Sequence, residues 1–274
     1  MEQYTFHDLG VNTRGDPPFI PPEALYIINQ GVGTPLEDLI DGYQTLNVKG
    51  RELLAYTLEK QDVTGQDGSM FLSANYPERE IEVTYKLEAK DDKEFRQKYE
   101  LLNHYLSQKQ FDFYFYDDDL YQFSGTLTNA DKPDPGKNVV KSSFTITCTD
   151  PFKRLRDPVT YTNNQHDLRI AEPVFYPTEP DEIDVVFKSN TSSVAITNSK
   201  QTITLTGNFK ASDKLRITFS SDYEHQSSIY LNGVENLGLL NLTSDFENFK
   251  VVQDDIVSVT PNADLTLKLR RREI

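Results

Sequence analysis

The sequence predicts a mainly β protein of two domains with one main helix. Three patterns lead there. Between Glu80 and Glu88, the residues Ile81, Val83, Tyr85 and Leu87 alternate with Glu82, Thr84, Lys86 and Glu88. That is the period of two of a half-buried strand. From Phe95 the period changes: Phe95, Tyr99, Leu102 and Leu106 fall on one face of a helix. Beyond Ile183 there are only short apolar runs between turn residues, the pattern of a β-sandwich.

In chain order, residues 1–22 form a proline-rich arm. Asp16-Pro17-Pro18-Phe19-Ile20-Pro21-Pro22 favours extended polyproline backbone. It is either a loose tail or an arm lying on a neighbouring subunit, with Phe19 and Ile20 as anchors. Residues 23–155 form the first domain. Strands are expected at Tyr43–Val48 and Leu53–Leu58 after one helical turn behind Pro35. A glycine-bracketed turn, Val63-Thr64-Gly65-Gln66-Asp67-Gly68-Ser69, precedes the alternating strand. Asp91 and Glu94 form an N-cap pair for the helix. Strands return at Phe111–Tyr116, Tyr121–Leu127 and Val139–Thr149, and the unit closes on Asp150-Pro151-Phe152. Residues 156–182, broken by Pro173, Pro177 and Pro180, read as a linker. Residues 183–274 read as the sandwich, including a strand at Phe249–Val252.

Composition narrows the function. The chain has 28 basic and 43 acidic residues among 274, a net charge of −15. That balance argues against bulk electrostatic binding of DNA or anionic membranes. No apolar run is long enough to span a bilayer, so no membrane insertion is expected. The N-terminus has neither a basic segment nor an apolar core, so no signal peptide is expected. The single Cys148 suits a reducing cytosol and, on the face of Phe144 and Ile146, a small buried hydrophobe.

The chain lacks the Gly-x-Ser-x-Gly elbow, the phosphate loop, the His-Glu-x-x-His pair and the dinucleotide fingerprint. Its histidines (His7, His104, His166, His225) have no ligand spacing. Asp117-Asp118-Asp119, between aromatic strands, reads as a solvated turn before a cation site. Arg270-Arg271-Arg272 reads as a solvated or acid-pairing strand end. No catalytic residue, metal or cofactor is expected, and no enzyme. Tyr161, Tyr176, Tyr223 and Tyr230 are the candidate aromatic platform for a saccharide.

The turn at Val63, Gly65, Asp67, Gly68 and Ser69 resembles the Val-x-Gly-x-Asp-Gly-Ser turn of the distal tail proteins of siphophages infecting Gram-positive bacteria. The likeness continues through Arg79–Val83, the helix, Phe113–Tyr121, Gly125-Thr126-Leu127 and the closing Asp150, Pro151 and Phe152. More faintly it extends over Asp213–Ile217, Ile229–Val234 and Leu267–Arg272. Gln253-Asp254-Asp255 stands where the family commonly has a Gly-Asp/Glu-Asn turn.

The resemblance implies an N-terminal split-barrel ring domain and a galectin- or carbohydrate-module-like sandwich. It implies a homo-hexameric hub in the virion of a phage or tail-like particle, assembled in the host bacterial cytoplasm. The major tail tube protein would lie above it. A tail-associated lysin or tail fibre and receptor-binding or baseplate proteins would lie below, and DNA would pass through the lumen. A saccharide-binding module and, last, a tail-associated hydrolase are the competing readings.

Overall fold

The computed structural model describes residues 20–65, 67–133, 137–163, 167–220 and 226–274. It divides into two units, the first ending at Lys153 and the second running from Arg154 to Glu273.

In the first unit, β1 (Leu25–Asn29) and β2 (Val32–Pro35) form a hairpin. Gln30 and Gly31 both take positive φ, the geometry of a tight two-residue turn. One helical turn, α1 (Leu36–Leu39), leads to β3 (Tyr43–Lys49). A separate hairpin follows, β4 (Thr57–Asp62) and β5 (Ser69–Asn75). Then come β6 (Arg79–Glu88), α2 (Asp92–Leu106), β7 (Phe111–Phe115), β8 (Tyr121–Ala130) and β9 (Val139–Cys148).

Seven of these strands join in the order β2-β1-β7-β8-β9-β6-β3. The sheet turns a corner at β8, whose first half pairs with β7 and whose second half pairs with β9. Gly125 sits at that change of partner. A Cβ there would stand 2.6 Å from the Ile146 methyl, so only glycine lets β8 cross so closely. β3, at the far end of this order, pairs with β6 on its inner side and, among the described residues, with no strand on its outer side. The N–H groups of Thr45 and Val48 donate instead to the carboxylates of Glu37 (2.8 Å) and Glu23 (2.9 Å). The barrel is therefore open along this seam and bridged by side chains.

The α2 cap follows the sequence: Glu94 N–H donates to Asp91 Oδ1 (2.8 Å), and Lys90 N–H to Glu94 Oε2 (2.8 Å). Leu102 and Leu106 enter the core with Ile81, Val83 and Leu87 of β6. Lys98, also buried, donates to Glu88 O (2.9 Å) and pairs with Glu94 at 3.0 Å.

The second unit is a sandwich. One sheet runs β11-β20-β13-β16-β17-β18, with β11 at Val159–Asn163, β13 at Glu182–Phe187, β16 at Lys214–Thr218, β17 at Ser228–Leu231, β18 at Val234–Glu235 and β20 at Ala263–Leu269. The other runs β12-β19-β14-β15, with β12 at Asp167–Arg169, β14 at Thr191–Thr197, β15 at Thr202–Phe209 and β19 at Ile256–Thr260. Short β10 (Lys153–Leu155) and β21 (Arg272–Glu273) pair with each other. Alternate residues fill the core: Ala263, Leu265, Leu267 and Leu269 from β20 face Val194 and Ile196 of β14 and Val257 and Val259 of β19. Phe187 and Phe209 stack at 4.8 Å.

Two expectations are corrected. Residues 156–182 are no linker: they supply β11 and β12, and Ile170 and Val174 are buried in the core. Their strands are too short to show a period between the prolines. Phe249–Val252 is no strand; Val251 makes a single bridge to Thr178, and Phe249 fills the core from a loop.

Candidate assembly surface

The β4–β5 hairpin is the anomaly of the first unit. It forms a two-stranded sheet of its own, and Leu58, Met70, Phe71 and Leu72 stand in solvent, Phe71 at 64% exposure. Leu53 and Tyr56, just before it, are exposed as well. A lone two-stranded hairpin is marginal in water, and large apolar side chains exposed on both of its faces point to an interaction site.

The tip carries the family-like turn. Gly65 and Gly68 both take positive φ, +84° and +79°, with open space around each. Glycine is required there by backbone conformation, not by crowding. Val63, Asp67 and Ser69 are exposed around it. The turn is a piece of geometry that ends the hairpin, and none of its described residues is a buried polar group.

The root is held by Arg79, only 1% exposed, at the start of β6. Its Nη1 donates to Gly50 O (2.8 Å) and Glu52 O (3.2 Å), and its Nε to Pro151 O (3.0 Å). Its guanidinium lies 5.9 Å from the Phe123 ring. The closing residues meet the hairpin root here. Phe152 N–H donates to Asp150 Oδ1 (3.2 Å), and the Phe152 ring packs edge-on against Tyr76 at 5.7 Å. Tyr76 in turn stacks on Tyr56 at 4.0 Å. The closing motif is thus tied to the Arg79 guanidinium and its neighbours at the hairpin root, while the family-like turn lies at the other end of the hairpin. The sequence does carry a signal for Arg79: it shares the inward phase of Ile81, Val83, Tyr85 and Leu87, a position where a charge needs a structural reason.

Beside the root is a cleft of about 420 Å³ lined by Gly50, Glu52, Leu54, Pro77, Arg79 and Glu80, among others. Its polar members are acids and a guanidinium already bound to carbonyl groups, and no nucleophile enters it. Asp117-Asp118-Asp119 forms the expected turn, with Asp117 and Asp119 exposed, and two of its acids are also held by cations. Arg51 grips Asp117 with both nitrogens (2.6 and 2.9 Å), reaches Glu23 at 3.2 Å and lies 4.5 Å over Phe115. Lys153 pairs with Asp118 at 2.5 Å. Among the described residues no group of three or more His, Cys, Asp or Glu is placed to hold a metal. Burial pushes the Cys148 thiol up to about 12, which suits its place in the core.

The four tyrosines of the candidate saccharide platform are not brought together. Tyr161 of β11 lies opposite Leu267 and packs on the core. Tyr230 of β17 lies opposite Arg216, on the other face of the same sheet. Burial pushes the Tyr161 hydroxyl up to about 12. Tyr176 sits in the loop before β13, and Tyr223 lies outside the described residues. The outer face near Tyr230 is a ladder of ion pairs: Arg216 with Asp184 (2.8 Å), and Lys268 with Glu182 (2.7 Å). Of the arm anchors, Ile20 is half-buried and Phe19 lies outside the described residues.

Residues 36–148 match the family model described as a phage tail protein RIFT-related domain, and residues 176–272 that described as a siphovirus-type tail component, C-terminal domain. A crystal structure of SPP1 Dit, described as a paradigm of the hub of the adsorption apparatus in phages infecting Gram-positive bacteria, aligns with a TM-score of 0.74 at 19% identity. It covers 92% of this chain and 99% of that one. Chains of the phage p2 baseplate in its activated conformation align at TM-scores of 0.52 and 0.53 with 8% identity, covering 91% of this chain and 97% of theirs. No curated protein sequence matches the chain. No described helix is long and apolar enough to cross a membrane. With both units matched in order and the fold shared over 92% of the chain, the chain belongs to the siphophage distal tail protein family and is a structural tail component of the virion.

Proposed function

We propose that six copies of the chain form a ring, the hub that joins the tail tube to the baseplate or receptor-binding apparatus, with DNA passing through its lumen. The observation that carries the ring is the exposed apolar hairpin of the first unit. Its root is held by Arg79, and Leu58, Met70, Phe71 and Leu72 stand exposed on it. A hairpin docked on the next copy is a head-to-tail contact, and such contacts close into rings when the rotation allows. Copies carrying −15 each would give a lumen of the sign that repels the DNA backbone, favouring passage over retention. A tube protein above and a lysin, fibre or receptor-binding protein below are the partners of this reading. No placement of Tyr161, Tyr176 or Tyr230 favours the saccharide reading over it.

Light scattering over a range of concentrations tests the ring. The expected result is a species near six times 31.4 kDa that Phe71→Ser reduces to single chains. A monomer at every concentration, with and without assembled tail tubes as template, would sink it.

A further inference from the structure

The β4–β5 hairpin has two unlike faces, and its ladder tells them apart. Residues opposite one another in an antiparallel pair share a face, and the face alternates along each strand. Leu58 lies opposite Ala74 and, two residues on, Lys60 lies opposite Phe71. Glu59 opposite Ser73 and Gln61 opposite Met70 belong to the other face, where Ser73 Oγ donates to Glu59 Oε2 (2.8 Å). One face therefore gathers Leu58, Phe71 and Ala74 beside a single cation. Phe71 is 64% exposed and Leu58 56%, and Lys60 is exposed with them. Lys60 is the only basic residue between Arg51 and Arg79.

The cleft at the hairpin root has the converse character. Its volume is about 420 Å³, and its lining combines Leu53 and Leu54 with the exposed carboxylates of Glu52, Glu78 and Glu80. Arg79, 1% exposed, is part of the same wall. Its Nη2 is buried and has no hydrogen-bond partner among the described residues. A buried donor left over in this way calls for an acceptor.

We propose that the cleft receives the Lys60 and Phe71 face of the hairpin of a second copy. Phe71 and Leu58 meet Leu53 and Leu54, the Lys60 ammonium lies among the carboxylates of Glu52, Glu78 and Glu80, and the incoming strand offers carbonyl oxygens to Arg79 Nη2. This contact rests on the ring reading and specifies which surfaces close the ring. Charge argues for the pairing. Copies at −15 each repel one another, so they must meet where a local cation faces local acids. The hairpin face and the cleft are different surfaces of one chain. Each copy can thus fill its neighbour's cleft while its own cleft is filled by another, which is a head-to-tail contact.

Charge reversal tests the pairing in the full-length protein. In light scattering, Lys60→Glu is expected to raise the concentration of half-assembly about tenfold or more, because it sets like charges against each other. Glu78→Lys with Glu80→Lys is expected to do the same. All three substitutions in one chain are expected to return assembly to the wild-type concentration. Gln61→Glu, on the opposite face, is expected to leave it unchanged. The substituted positions are exposed, so every variant should unfold at the wild-type denaturant midpoint. Assembly unmoved by the reversals, or lost in each set and not recovered by their combination, would overturn the proposal and leave the ring standing. A wild type that stays monomeric with and without assembled tail tubes would remove the ring and this contact together.

Discussion

The sandwich and the β4–β5 hairpin use similar residues to opposite ends. In the sandwich, alternate residues of β13, β16, β19 and β20, with Val194 and Ile196 of β14 and Ile203 and Leu205 of β15, are apolar and buried in the core between the sheets. Its outer face holds paired charges. In the hairpin, Met70, Phe71 and Leu72 run consecutively and face water on both sides. The first region satisfies its hydrophobic groups within one chain; the second leaves them to be satisfied elsewhere. An apolar residue therefore stabilises the fold in one place and an assembly in the other, and substitutions should separate the two.

The largest effect is expected at the hairpin root. Arg79→Ala leaves the carbonyls of Gly50, Glu52 and Pro151 without their donor inside the protein. At ~1–3 kcal/mol for each buried group left unsatisfied, a loss of about 4 kcal/mol is expected in denaturant unfolding. A loss below about 1 kcal/mol would mean the root is not held by this guanidinium. Leu267→Ala, at the centre of β20, should cost about 3 kcal/mol through lost burial and a residual cavity. Phe71→Ser should change unfolding free energy by less than about 0.5 kcal/mol while abolishing the higher-mass species. If the Phe71 and Leu267 variants lost equal stability, the contrast between the two regions would fail.

The smallest effect concerns Glu37. Burial holds its carboxyl above the ordinary value, partly opposed by the Thr45 N–H it accepts from. A raised folded value means the native state binds the proton more tightly than the unfolded chain. This group therefore makes stability fall as pH rises from the ordinary carboxylate range through its folded value. Glu37→Gln keeps the acceptor for Thr45 and removes the titration. The variant should match the wild type near pH 4 and gain on it towards neutrality in pH-dependent denaturant melts. Parallel curves would show that Glu37 does not titrate differently on folding. Glu179 and Asp181, also raised by burial, are common to both proteins and cancel in the comparison.

Where a strand has one wet face, the sequence shows it: β6 was legible from its alternation, α2 from its spacing and cap, and β20 from Leu265, Leu267 and Leu269. Where strands are three to five residues long among prolines, as in β11 and β12, no period has room to develop, and the segment reads as linker. The hairpin was hidden for a different reason. Met70-Phe71-Leu72 has the composition of a buried run, and periodicity reports which residues share a face but not whether anything covers it.

The carboxylates along β3 bear on how the chain behaves before it reaches its partners. A bare strand edge invites a second chain to add itself, and at high concentration that leads to edge-to-edge aggregation. At β3 the N–H groups of Thr45 and Val48 are already bound, so an incoming strand must displace Glu37 and Glu23 and leave their charges without those donors. Such an edge discourages misdirected stacking while the apolar hairpin stays open, so freshly made protomers are kept from joining along the wrong side.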